Sequence, residues 1–177
     1  MDRIPILSRV LDIIQRIGIV VGVAMIVAMG LLMNIEVGTR TLLGFSTQIS
    51  DEYAGYFFTA ATMLCFLPAL RDERFLRVEG LIAMAPPRLR AIAEAFAALI
   101  GAGTCAVLAD ATYDLTAASI SFGTRSLQAS QTPLAIPQAV MPFCFAILSI
   151  AFLEWGWVRS RRLWRGQTVT ETHHALD

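Results

Sequence analysis

The stretch of sequence that decides the fold is residues 17–35, IGIVVGVAMIVAMGLLMNI, in which no residue carries a charge. Residues 53–70, 95–109 and 126–153 are free of charged residues as well. An α-helix crosses a hydrocarbon core of roughly 30 Å with about 20 mostly apolar residues. Four such stretches leave little of a short chain for a water-soluble domain. They predict an all-α integral membrane protein with four transmembrane helices.

The composition argues against the other broad classes of protein. Of the 177 residues, 56% are hydrophobic and 16% are charged, whereas a soluble domain carries about a quarter charged residues. A soluble enzyme, a nucleic-acid-binding module and a disordered linker are therefore poor interpretations, and we expect no nucleic-acid partner. The formal net charge is zero, and all 14 basic residues are arginine. Because the arginines occur in every loop, we attribute this preference to genome base composition. We expect one membrane domain over residues 1–177.

The arginines are distributed unequally between the two sides of the predicted spans. Twelve of the 14 lie before the first span, between the second and third spans, or after the fourth. Only Arg40 and Arg125 lie in the other two connections. Short loops rich in arginine stay in the cytoplasm, so both termini are predicted to be cytoplasmic. The predicted spans cover about residues 13–37, 52–71, 88–115 and 133–158, and a disordered tail is predicted over residues 166–177.

The first and third spans are both notable for their length. The apolar core from Ile17 to Met33 is longer than the 7–15 residues of a typical signal peptide, so we expect the first span to be retained. The third helix, from Arg88 to about Ser119, is longer than the membrane core. It is predicted to project from the outer surface and to carry three residues into water, namely Asp110, Tyr113 and Asp114.

Short amphipathic segments are predicted at both membrane interfaces. On the outer side, four apolar residues of the first connection are expected to lie flat on the membrane: Leu42, Leu43, Phe45 and Ile49. On the inner side, four residues that share one face at helical spacing predict a short interfacial helix: Val78, Leu81, Ile82 and Ala85.

The ionisable and thiol residues give little indication of chemistry. Four carboxylates are expected within a turn or two of helix ends, where water or a salt bridge satisfies them: Glu36, Glu94, Asp110 and Glu154. Both histidines lie in the tail, which argues against haem. The three cysteines occur singly, one in each of spans two to four, and no CxxC motif is present. We therefore expect no catalytic residues, no cofactor and no metal.

Small residues recur at helical spacing in two of the predicted spans. Gly18 and Gly22 form a GxxxG motif in span one. In span three, small residues recur every four positions at Ala93, Ala97, Gly101 and Cys105, beside a second row at Ala98, Ala102 and Ala106. Such rows allow close approach of helix backbones. The six residues predicted as a helix-packing strip are Gly18, Gly22, Ala93, Ala97, Gly101 and Cys105.

Several short segments recur in a characteristic order along the chain. They are Arg40 with Gly44-Phe45-Ser46, Asp51-Glu52-Tyr53, Phe75-Leu76-Arg77-Val78-Glu79, and Leu134-Ala135-Ile136-Pro137 with Pro142. In order and spacing they resemble the small membrane subunit of tripartite ATP-independent periplasmic (TRAP) transporters. Phe75 and Glu79 stand where that family commonly has histidine and aspartate.

The resemblance implies a multi-pass subunit of the bacterial inner membrane that is not an enzyme. It would brace a large, sodium-coupled permease subunit during uptake of an organic acid that a periplasmic binding protein delivers. The implied partners are these two proteins and membrane lipids. Four residues on the predicted outer side are candidates for docking of the binding protein: Arg40, Asp51, Glu52 and Arg125.

The sequence leaves open one alternative for the role of the outer loops and two for the function of the chain. The polar outer loops can be plain solvated connections. The chain can also be a stand-alone four-helix multidrug exporter, which would need a carboxylate deep in the membrane. Finally, it can be a small membrane-embedded enzyme, which would need a cluster of polar residues at one membrane level.

Overall fold

The structure is a computed structural model, and it describes residues 5–46, 49–71 and 86–164. Within these ranges the regular structure is helical, apart from an isolated bridge between Arg125 and Pro133. The interfacial helix predicted around Val78–Ala85 and the tail predicted over residues 166–177 lie outside the described residues.

The described residues form α1 (Pro5–Leu42), α2 (Ser50–Arg71), α3 (Pro87–Ser121), α4 (Ala135–Gln138) and α5 (Val140–Trp164). Among the described residues, four segments are long and apolar enough to cross a membrane, the fourth running from Ala135 to Val158. The predicted all-α fold with four membrane-spanning helices is thus confirmed.

Local sequence explains where two of the helices begin. Asp51 and Glu52 lie in the first turn of α2, where a negative charge is favourable beside the positive end of the helix dipole. Pro87 opens α3 after an extended Pro86, a position at which proline loses no hydrogen bond. α1 and α3 have 38 and 35 residues. Both are longer than the spans predicted at 13–37 and 88–115.

The first connection is more helical at its start than its polarity indicates. Leu42 belongs to α1, whereas Leu43, Phe45 and Ser46 are exposed and not helical. Within the described residues, the segment expected to lie flat on the membrane is therefore split between the end of α1 and a short irregular stretch.

The helices form an open row in the order α1, α2, α5, α3. The main contacts are between α1 and α2, between α2 and α5, and between α5 and α3. One core cluster runs along this row, from Leu11 through Leu67, Leu70, Leu148 and Ala151 to Cys105. The outer helices of the row, α1 and α3, thus pack on one neighbour each, whereas α2 and α5 pack on two. All four expose apolar residues on their remaining surface, as expected where lipid or another membrane protein surrounds them.

Contacts between helices show which residues lie at the same height, measured along the helix axes, at one end of the row. Ser149 Oγ donates a hydrogen bond to the Ala102 carbonyl at 2.9 Å, and Gly156 packs on Ala98. Arg71, the last residue of α2, approaches Glu154 of α5. Arg71 is therefore about level with Ala98, and we call this the Arg71 end.

The opposite end is tied through the α3–α4 loop, and we call it the Ser50 end. Tyr53 hydrogen-bonds to Thr132 at 3.1 Å. The Thr124 amide donates to the Ser119 carbonyl at 3.0 Å, and the Leu134 amide donates to the Thr124 carbonyl at 3.1 Å. The start of α2 is therefore about level with Ser119.

The excess length of α3 lies at the Arg71 end. From Ala98 back to Pro87 the helix overhangs by about 16 Å, whereas its last residue, Ser121, is within a turn of the Ser50 level. Relative to its neighbours, α3 thus extends beyond the row at the Arg71 end and not at the Ser50 end, so the register does not support the predicted projection from the outer surface, which stays a prediction. That prediction rests on helix length alone, and length does not show at which end a helix overhangs. Asp110, Tyr113 and Asp114 lie between the two ends of the row.

Candidate functional site

Two carboxylates organise the connections at the Ser50 end. Glu36, in the last turns of α1, accepts hydrogen bonds from Ser46 and from Ser50 Oγ, the latter at 3.1 Å. The Glu36 side chain therefore joins the end of α1 to the start of α2. Since Glu36 was expected only to reach water or a salt bridge, its role in holding the connection is a finding of the structure.

Glu52 holds the loop between α3 and α4 in the same way. Its buried carboxylate accepts hydrogen bonds from the Tyr56 hydroxyl at 2.6 Å and from Ser130 Oγ. Ser130 also hydrogen-bonds to Thr132 at 2.8 Å. These hydrogen bonds hold the α3–α4 loop against the first turn of α2, although Ser130 and Glu52 are 78 residues apart in sequence.

The structure brings the four docking candidates to one end of the molecule but does not leave all of them accessible. Arg40 lies in the last turn of α1, Asp51 in the first turn of α2 and Arg125 in the α3–α4 loop, and all three are exposed. Glu52 is buried and bonded within its own chain. Among the described residues, no ion pair joins these four residues to one another.

Two adjoining grooves open at the Ser50 end between the connections. One, of about 460 Å³, is lined by Glu36, Ser46, Ser50, Asp51, Leu127, Gln128 and Ala129. Its neighbour, of about 370 Å³, shares Asp51 and Gln128 and extends to Glu52 and Gln138. Leu127, in the lining of the first groove, is fully exposed. Sequence reasoning missed Leu127, since a single apolar residue in a polar loop gives no pattern.

The predicted small-residue strip divides between two helix pairs. A Cβ built on Gly18 would lie 3.2 Å from the Leu64 carbonyl oxygen, and one on Gly22 would lie 3.3 Å from Cys65 Sγ, so both glycines face α2. On α3, Gly101 meets the Phe152 ring of α5 and Cys105 is buried.

Ala93 and Ala97 are exposed, whereas the buried hydrophobic residues of α3 are Ala98, Ala102 and Cys105. At 3.6 residues per turn, each step of four residues rotates about 40° around the helix. A row that starts at Ala93 has therefore turned about 120° by Cys105. Of the residues in this row, only Gly101 and Cys105 therefore lie against α5.

A buried arginine joins three helices at the Arg71 end. Arg71 forms an ion pair with Asp12 of α1 at 2.8 Å and approaches Glu154 of α5 at 3.9 Å. It also donates to Ser8 Oγ at 3.2 Å. Along the sequence, the arginines nearest to Glu154 are Arg159 and Arg161, which follow it on α5. The pairing with Arg71 depends on how α2 packs on α5, which spacing along one helix does not show.

Asp110 lies at a depth that the sequence did not predict. It is about 13 Å from the Ser119 level and about 18 Å from the Ala98 level, at 1.5 Å per residue. The expectation that it lies close to a helix end is therefore wrong. The exposed side chains of Asp110 and Asp114 lie along the apolar part of the row.

The described residues contain no group of histidine, cysteine and acidic side chains arranged to hold a metal ion. The three cysteines are free thiols. Glu94, on α3, is buried.

The comparison with known families agrees with this architecture. Residues 29–162 match the family described as tripartite ATP-independent periplasmic transporters, DctQ component. The chain belongs to the DctQ family. No curated protein and no solved structure matches it.

DctQ proteins are the small membrane subunits of TRAP transporters, so the chain is a transporter component of the inner membrane. In this family the subunit functions with a large permease and a substrate-binding protein. The matched region of this DctQ protein includes the Ser50 end, Arg71, Asp110 and Glu154.

Proposed function

We propose that this DctQ subunit is a static brace for a large, sodium-coupled permease subunit that takes up an organic acid. The observation that supports this proposal is that both ends of the helix row are tied. Arg71 joins α1, α2 and α5 at one end, and Glu52 joins α2 to the α3–α4 loop at the other. A moving transport element needs a stationary partner, and a row tied at both ends can serve as one. In this proposal, residues 1–177 act as one membrane unit without catalytic residues.

Reconstitution into vesicles tests the brace. The small subunit alone should give no uptake, and uptake by the large subunit with the binding protein should require it. Uptake of substrate or drug by the small subunit alone would contradict the brace and favour the multidrug exporter. That alternative requires a deep carboxylate, and Asp110 lies within the candidate span Ile92–Ser121, so this experiment is the decisive one. Family membership argues against both the exporter and a membrane enzyme.

The Ser50 end is our proposed docking surface for the binding protein. This follows if both termini are cytoplasmic, because the Ser50 end then faces the periplasm. Arg40, Asp51 and Arg125 are exposed there, and Glu52 supports the surface from beneath by holding the loop. Exposed charges at the rim of an interface act chiefly on the association rate and its salt dependence.

Charge reversal tests the docking surface. Arg40→Glu, Asp51→Arg and Arg125→Glu should each lower binding-protein-dependent uptake, most strongly at low salt, while the two membrane subunits stay assembled. The matched control is Arg16→Glu, which changes an exposed arginine of α1 near the opposite end and should leave the salt dependence of uptake unchanged. Unaltered uptake in all three outer variants, with the complex intact, would show that these loops are solvated connections.

A further inference from the structure

One exposed face of α3 carries acidic residues inside the apolar part of the molecule. Gly103, Asp110 and Asp114 are exposed, and they lie on one side of the helix because seven residues make almost two full turns. Around Gly103 there is open space. This face points away from Ala98 and Ala102, which are buried against α5.

A carboxylate at this depth needs a polar partner. Ionisable residues within membrane spans are costly when they face lipid, and they almost always face protein or a water-filled cavity. Among the described residues, Asp110 has no ion pair or hydrogen bond. The small residue Gly103, two turns away on the same face, allows another helix to approach closely.

We propose that the face of Gly103, Asp110 and Asp114 is where the large permease subunit contacts this chain. The large subunit would contribute a basic side chain, or N–H or O–H donors, that binds the Asp110 carboxylate within the membrane. This inference rests on the proposed function, because it takes the large subunit as the partner.

The depth and charge of the face argue for that partner over the others. A soluble binding protein does not reach halfway into a membrane. A second copy of this chain offers no basic residue at that depth, since residues 17–35, 53–70, 95–109 and 126–153 contain no arginine or lysine. A two-fold contact through this face would also place like charges opposite each other.

Co-purification of tagged small subunit with the large subunit tests the proposal. Asp110→Leu should lower the affinity for the large subunit on the order of tenfold or more, because it removes one partner of a buried polar pair. Asp110→Asn, which keeps a carbonyl acceptor, should lower it less. The isolated small subunit with Asp110→Leu should be at least as heat-stable in detergent as the wild type, because leucine suits an exposed apolar position. A matched control is Ala24→Leu, at a similar height on the exposed side of α1, which should leave the affinity unchanged.

A photo-crosslinking residue at position 107 gives a second measurement that leaves Asp110 intact. Val107 is exposed, one turn before Asp110. A crosslink to the large subunit supports the proposal, whereas crosslinks only to lipid or to a second copy of the small subunit overturn it. If the wild-type chain itself fails to bind the large subunit, the proposed function fails. If the wild type and Asp110→Leu bind equally well, the brace can stand but this assignment of the interface is wrong.

Discussion

At the scale of single residues, Gly156 decides how closely α5 approaches α3. A Cβ built on Gly156 would lie 2.4 Å from the Cβ of Ala98. Both atoms are attached directly to helix backbones, so Gly156→Ala must push the two helices apart. We expect a loss of about 1–3 kcal/mol in the free energy of unfolding, as for other overpacked sites. Thermal unfolding in detergent should show a lower midpoint.

Gly103 provides the matched control on α3. A Cβ there would meet no atom within 4 Å, and alanine favours a helix by about 1 kcal/mol over glycine. The isolated Gly103→Ala variant should therefore be as stable as the wild type or more so. Equal destabilisation by Gly103→Ala and Gly156→Ala would contradict the described packing of α3 on α5.

At the scale of helices, Arg71 is the residue that ties α1, α2 and α5 together. The side chains of Arg71 and Glu154 are only 7% and 5% exposed. Arg71→Leu would leave the Glu154 carboxylate buried without its arginine, which costs about 3–5 kcal/mol in comparable buried pairs. The double variant Arg71→Leu/Glu154→Leu should lose less than the single variant. A double-mutant cycle of unfolding free energies measures the difference.

Asp12 separates the buried pair from the exposed one in the same network. Its side chain is 49% exposed, so Asp12→Asn should cost about 0–1 kcal/mol, as for exposed ion pairs.

For the double-mutant cycle of Arg71 and Glu154, additive losses for Arg71→Leu and Glu154→Leu would show that the two residues act independently and that Arg71 does not tie α2 to α5.

At the scale of the whole molecule, the unequal distribution of arginines predicts which end faces the cytoplasm. Twelve of the 14 arginines belong to the termini and the connection between the second and third spans, so the Arg71 end should be cytoplasmic. Reporter fusions after Arg165 and within residues 119–131 should give opposite signals for the side of the membrane. A fusion at the N-terminus should match the one after Arg165. Identical signals at all three positions would exclude this topology and, with it, docking of a periplasmic protein at the Ser50 end.

The candidate sites could be predicted only where they depend on neighbours in sequence. The spacing of Gly18 and Gly22 predicts a shared packing face, because residues four apart lie close together on a helix, and both glycines do face α2. Glu52 could not be recognised as an internal anchor, because its partner Ser130 is 78 residues away. Ala93 and Ala97 were grouped with Cys105 by spacing, but the slow rotation of that row around α3 leaves them exposed.

The sequence by itself determined the number of spanning helices, their approximate positions and the asymmetry of charge. These properties depend on runs of apolar residues and on loop composition, which are local. Only the tertiary structure decided the order of helices in the row, the partner of Arg71 and the depth of Asp110. Those properties depend on the register between helices, which is set by contacts such as Ser149 with Ala102 and Gly156 with Ala98. A helix of 35 residues can overhang at either end, and it is this register that places the overhang of α3 at the Arg71 end and Asp110 between the two ends.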